Sequence, residues 1–182
     1  MSSRYSIPTS SGEHRARVDS VGRVITGIAH TAVCVPDVEA AVKWYRSVLG
    51  LAVLSPPYLV EGEAIERDMG ELVPSPVAVK AAILGLPGGG DRVLEVIEYP
   101  RAAGRPRPPD ASVVDHGFTH VGLVCDDIDA TRAELEAAGV RFLTRGIAEV
   151  MGLRTTWFTD PHGLVFILME KRDPAKPYYA QY

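Results

Sequence analysis

Two imidazoles and one carboxylate in this 182-residue chain occupy positions tied together by an internal repeat, and as a set they suit a divalent metal. His30 opens the stretch His30-Thr-Ala-Val-Cys-Val-Pro-Asp-Val-Glu-Ala40. His120 opens His120-Val-Gly-Leu-Val-Cys-Asp-Asp-Ile-Asp-Ala130, at a constant offset of 90 with no gap. Glu95 sits inside the apolar run Leu94-Glu-Val-Ile-Glu-Tyr99, where a carboxylate is costly unless it has a partner. That run aligns with Phe166-Ile-Leu-Met-Glu-Lys171 at an offset of 72, so Ile167 stands in the second half where Glu95 stands in the first. A histidine on a strand is ordinarily a polar core residue. Its recurrence at an equivalent position is what turns the pair toward metal binding. Two imidazoles and a carboxylate fit Fe, Mn, Co, Ni or Zn, and the residues alone do not choose among them.

The elements that must position these groups follow from the same repeat. After each histidine strand comes a helical pattern, 38–48 and then 128–138, with Asp37 or Asp127 placed to cap it and Gly50 or Gly139 placed to end it. A short strand follows each helix, Leu51–Ser55 or Val140–Thr144, and then two more close each half. The change of offset from 90 to 72 puts 18 extra residues in the first half, within 56–92. The chain therefore divides into a tail over 1–23, one domain over 24–172 and a second tail over 173–182. The domain reads as a βαβββ module over 24–99, a proline-rich linker over 100–115 and a second module over 116–172. The expected class is α+β, with two tandem βαβββ modules forming one curved eight-stranded mixed sheet around a concave site and the helices outside.

Strand alternation then names the neighbours of the metal set. Cys34 shares parity with His30, Tyr99 with Glu95, Gly122 with His120 and Met169 with Ile167. These five residues, Cys34, Tyr99, Gly122, Ile167 and Met169, are the expected substrate pocket. Cys125 falls on the other face of its strand, which argues against a disulfide to Cys34. Glu61, Glu63, Glu66 and Asp68 in the inserted segment are either candidate bases or a solvated acidic loop. Arg101, Arg105 and Arg107 either meet an acidic substrate tail or are simply solvated.

Composition narrows the partners. A net charge of -4 and a pI near 5.7 argue against a nucleic-acid protein held by phosphate contacts. No apolar run approaches the ~18–20 residues that span a bilayer, and the N-terminus lacks a signal-peptide core. Two cysteines fit a reducing compartment. The expectation is a cytoplasmic protein with a small-molecule substrate, no nucleic acid and no membrane. The three tyrosines in 174–182 suit an interface, which points to a homodimer with those tyrosines at least partly buried.

The stretches IAHTAVCVPDVEAAVKWYRSVLGL, FTHVGLVCDDIDATRAELEAAGV and FTDPHGLVFILME resemble the vicinal oxygen chelate superfamily. That group includes glyoxalase I, methylmalonyl-CoA epimerase, extradiol dioxygenases and metal-free bleomycin-binding proteins. The resemblance covers roughly 24–172. It implies metal ligands on the first and last strands of each module, which here means His30, Glu95 and His120. The fourth position departs from the family pattern, D-P-D-G-x-x-I-E-L-x-E, because the residue four after Gly163 is Ile167. Glu170 is the trailing acid of that pattern and should face the opposite side of its strand. The implied function is a metal-dependent lyase or isomerase acting on a small vicinally oxygenated substrate through an enediolate or enolate. One alternative is a two-histidine, one-carboxylate Fe(II) or Mn(II) dioxygenase. The other is a metal-free binding protein of the bleomycin-resistance type.

Overall fold

In the first turn of each long helix, backbone N–H groups have no partner within the helix, and the chain supplies carboxylates to them twice over. The computed structural model describes residues 27–90 and 92–181. The tail assigned to 1–23 lies outside the described residues. Module one runs β1 (His30–Cys34), α1 (Val38–Leu49), β2 (Ala52–Glu61), α2 (Glu63–Met69), β3 (Ala78–Gly85) and β4 (Val93–Glu98). Module two runs β5 (Val121–Cys125), α3 (Ile128–Ala137), β6 (Arg141–Phe142), β7 (Ala148–Val150), β8 (Leu153–Thr159) and β9 (Val165–Lys171).

Asp37 accepts from the Ala40 N–H at 2.9 Å and Asp127 from the Ala130 N–H at 3.0 Å, as N-cap residues do. A second carboxylate arrives from the last strand of each module. Glu98 accepts from the Val38 N–H at 2.9 Å, and Glu170 accepts from the Ile128 N–H at 2.8 Å. Each also meets a cation from the neighbouring strand: Lys80 lies 3.9 Å from Glu98, and Arg154 lies 3.1 Å from Glu170. Gly50 ends α1 at φ 68, and Gly139 stands at φ 83 just past α3, the left-handed conformation that glycine adopts without strain.

The sheets reproduce the repeat in their register. β1 lies parallel to β4 with Ala32 opposite Glu95, and β5 lies parallel to β9 with Gly122 opposite Ile167. Both pairs keep the offsets of 90 and 72 seen in the chain. The α+β class and the two βαβββ modules are present. The single eight-stranded sheet is instead a four-stranded sheet, β1-β4-β3-β2, and a five-stranded sheet, β5-β9-β8-β6, with β7 paired to β8. Among the described residues β1 pairs only with β4 and β5 only with β9, so each is an edge strand.

Packing explains the division. Val33, Leu84 and Val96 from module one join Phe158, Phe166 and Leu168 from module two in one core, with α1 and α3 contributing Tyr45 and Leu135. The helix-bearing faces of the two sheets therefore line a shared interior, and the faces carrying His30 and His120 are left outside it. The insert forms α2 and a loop whose Ile65, Met69 and Val73 pack on Val77, Val79 and Ala81. β2 continues beyond the expected Ser55 through Pro56 and Pro57, with register shifts against β3, which an edge strand tolerates.

One polar bond ties the modules inside this core. The fully buried Tyr45 donates its hydroxyl to Asp160 Oδ2 at 2.6 Å, and its ring meets Phe166 edge-on at 6.4 Å. Asp160, itself buried, also accepts from the His162 and Leu164 N–H groups at 2.9 and 2.7 Å. Burial, with the Asp160 charge and hydrogen bond, pushes the phenol far above its ordinary pKa, so it stays a donor.

The C-terminal segment is docked by Gln181. Its amide donates to the carbonyls of Asp173, Lys176 and Pro177 and accepts from the Asp173 N–H. Tyr178 and Tyr179, expected to be partly buried, are 55% and 64% exposed in the single chain. The anchor is the glutamine backbone packed on Gly152, not the tyrosine rings. Tyr182 lies outside the described residues.

Tyr45→Phe is expected to lower stability by ~1.5–3 kcal/mol, the range for a buried hydrogen bond to a charged acceptor. Urea unfolding should show a lower midpoint at unchanged slope. An unchanged midpoint would mean the modules are held together by other contacts.

Candidate functional site

The site residues fall on the outward faces of the two sheets, in two groups. On module one, β1 and β4 bring His30 Nε2 to within 3.0 Å of Glu95 Oε2. The imidazole is about half exposed, at 48%, and the carboxylate is largely covered, at 19%. Glu95 thus has the partner that its mid-strand position demanded. On module two, His120 lies just ahead of β5. Its Nδ1 is 2.6 Å from Thr119 Oγ1, and its ring meets Trp157 edge-on at 4.8 Å. A Cβ at Gly122 would stand 3.0 Å from Met169 Cε and 3.8 Å from Ile167 Cγ2, so those two side chains cover the glycine. Gly122, Ile167 and Met169 therefore form one apolar surface beside His120.

The three expected ligands are not gathered in one chain. Among the described residues, the one group of three acidic, histidine or cysteine side chains with donor atoms within 4.8 Å of one another is Asp37, Glu39 and Glu98. Asp37 and Glu98 already cap α1, and Lys80 Nζ lies 2.5 Å from Glu39 Oε2. Glu170 takes the corresponding place under α3, so it is held on the helix side of β9, away from Ile167.

The remaining candidates find ordinary structural partners or none. Cys34 and Cys125 are free thiols. Partial desolvation pushes the Cys34 pKa up, so it is a thiol and not a thiolate at neutral pH. Partial burial, then the nearby Cys34 and Glu95, raises the Tyr99 pKa and keeps its hydroxyl protonated. Glu61 pairs with Arg101 at 2.6 Å and Glu63 with Arg67 at 2.8 Å. Glu66 accepts from Ser75 Oγ and from the Val77 N–H, bonds that hold its pKa below the usual carboxylate range and tether the inserted loop. Asp68 is exposed on α2.

Trp157 was not legible as a site residue. Its signal was the register of β8 on β9, which sets Trp157 opposite Ile167 just as Ile83 stands opposite Glu95.

The fold has counterparts among known proteins. The description Glyoxalase/Bleomycin resistance protein/Dioxygenase superfamily matches residues 27–168. The chain belongs to that superfamily. The uncharacterized protein YaeR of Escherichia coli K12 is 28% identical over 144 residues, covering 79% of this chain and 95% of that protein. A glyoxalase family protein from Bacillus cereus superposes with a TM-score of 0.71 at 18% identity, over 84% of this chain and 99% of its own. The trypanothione-dependent glyoxalase I of Leishmania major superposes with a TM-score of 0.53 at 18% identity, over 80% and 87%. These structures establish the glyoxalase-superfamily fold. No helix among the described residues is long and apolar enough to cross a membrane.

Glu98→Gln and Glu170→Gln are expected to cost similar amounts, ~0.5–2 kcal/mol each, because both remove a charged acceptor from a helix N-terminus. Thermal unfolding of the two variants checks this. A large effect from only one would break the equivalence of the modules.

Proposed function

We propose that this superfamily member is a divalent-metal-dependent lyase or isomerase of the glyoxalase and epimerase kind, acting on a small vicinally oxygenated substrate. The observation that carries the reading is the 3.0 Å separation of His30 Nε2 and Glu95 Oε2 on an outward sheet face. Two donors bonded to one ion at ~2.0–2.2 Å and near right angles stand about 3 Å apart, so the pair fits one edge of a coordination polyhedron. His30 and Glu95 are two of the three expected ligands, and His120 on the other module is the third. We place it in a second copy of the chain, with the free edge of β1 beside the free edge of β5 of the other copy. A homodimer of this kind makes two sites, each built from both chains.

A bound ion would supply Lewis-acid polarisation of two adjacent substrate oxygens. The chain's own residues do the rest. Ile167, Met169 and Trp157 form an apolar wall that orients the substrate carbon skeleton and excludes water. Glu95 is the carboxylate that β4 presents on this face, and its second oxygen receives the substrate proton. Tyr99, kept protonated, offers a hydroxyl on the same face. Substitution of a fourth acid by Ile167 leaves one more coordination position for substrate oxygens.

A second reading is a metal-free binding protein of the bleomycin-resistance type. The apolar surface of Gly122, Ile167, Met169 and Trp157 favours it, because an organic ligand could be held there without an ion.

Metal analysis of the purified protein separates the two readings. The enzyme reading expects stoichiometric metal, lost in His30→Ala and in His120→Ala with the fold intact by circular dichroism. Mixing those two variants should restore about a quarter of the wild-type metal content, because half of the exchanged dimers regain one intact site. Full metal retention in both single variants would sink the ligand assignment. Light scattering at micromolar concentration should give twice the 19.7 kDa chain mass.

Ile167→Glu should tighten metal binding by adding a carboxylate beside Gly122, measured as a lower dissociation constant in a chelator competition. An unchanged constant would mean that β9 does not face the ion.

A further inference from the structure

A second space stands apart from His30 and Glu95, neither of which lines it, although Cys34 and Tyr99 from the same strand faces reach its wall. It is a cleft of about 1410 Å³ between the modules, roofed by the proline-rich segment after β4 and floored by the β8–β9 turn. Arg105, Arg107, Arg141 and His162 line it, with Trp44 and Phe118 among its apolar walls. A smaller cavity of about 350 Å³ adjoins it and shares Arg107, Arg141 and His162, so these three side chains stand where the two spaces meet.

The charges in this cleft are unbalanced. Arg107 Nη1 donates to the Gly163 carbonyl at 3.3 Å, and Arg141 Nε donates to Thr159 Oγ1 at 3.4 Å. Each guanidinium carries five N–H donors, so one long bond leaves most of them unused. No carboxylate among the described residues pairs with Arg105, Arg107 or Arg141, nor with the exposed Arg46, Arg92 and Arg145 elsewhere, whereas Arg67, Arg101, Arg132, Arg154 and Arg172 all have one. Two acids do reach the cleft wall, and both are committed elsewhere. Glu98 caps α1, and Asp160 already accepts from a phenol and two backbone amides. Three guanidiniums beside apolar walls make a receptor for an oxyanion on an apolar body, since the planar fork matches carboxylate and phosphate oxygens.

We infer that the inter-module cleft is a second ligand site, taking a small organic anion, a carboxylate or phosphate ester with an apolar body, through Arg107 and Arg141. None of His30, Glu95 and His120 lines this cleft, although Cys34 and Tyr99 do.

The two tryptophans, Trp44 and Trp157, allow a direct test. In a Trp157→Phe background, Trp44 in the cleft is the one remaining fluorophore of its kind. Phenyl phosphate and benzoate are titrated separately, with phenol as the uncharged control. The expected result is saturable quenching by at least one anion, none by phenol at the same concentration, and weaker binding in high salt. The arm that saturates at lower concentration identifies phosphate or carboxylate as the preferred group. Arg107→Gln with Arg141→Gln should weaken that binding at least tenfold, as should Arg105→Gln with Arg107→Gln if the first pair fails to fold. Arg172→Gln, on the surface beside Glu149, should change nothing, and His30→Ala should bind as the parent does. An equal response to phenol, or full affinity in a folded double variant, would overturn the site.

Discussion

Each module rests on a carboxylate that its last strand lifts into the first turn of its helix. Glu98 under α1 and Glu170 under α3 fix the height of strand against helix to within one residue, because a slip would reverse every side chain on the strand. With that register set, the residue three positions earlier must face the other way. In module one it is Glu95, which meets His30. In module two it is Ile167, which helps to cover Gly122. The chemistry of the outward faces is thus a consequence of a structural bond on the inward faces.

The repeat made much of this legible in the chain. Asp37 and Asp127 as caps, Gly50 and Gly139 as helix ends, and the pairing of Glu95 with Ile167 all follow from short-range spacing, which a sequence displays directly. The placement of Glu170 on the helix side followed from parity alone. What the chain did not display was how the modules meet. Two βαβββ units can join by strand edges or by helix-bearing faces, and the apolar residues at 33, 84, 96, 158, 166 and 168 serve either arrangement. The expected single sheet and the gathering of His30, Glu95 and His120 both depended on that choice.

The insert was hidden for a different reason. Glu63–Met69 is a seven-residue helix with no side-chain cap, too short for a helical period to stand out. β7 is three exposed residues long, and β6 has only two. The cationic cleft was hidden because Arg105 and Arg107 belong to the linker, while Arg141 and His162 belong to module two. No local pattern joins them; the fold does.

Inside the shared core, one polar contact breaks the near-symmetry of the halves. Tyr45 has Leu135 as its counterpart in α3, and positions 86, 87 and 88, which match Asp160 in the other half, hold Leu, Pro and Gly. The donor therefore exists only in module one and the acceptor only in module two. Two copies of module one packed by these faces would bury a phenol with no acceptor, and two copies of module two would bury a carboxylate short of one donor. A duplicated chain built from look-alike halves runs the hazard of each half choosing its own twin. Here a single buried hydroxyl makes the unlike pairing the cheaper one, so the two modules recognise each other as different.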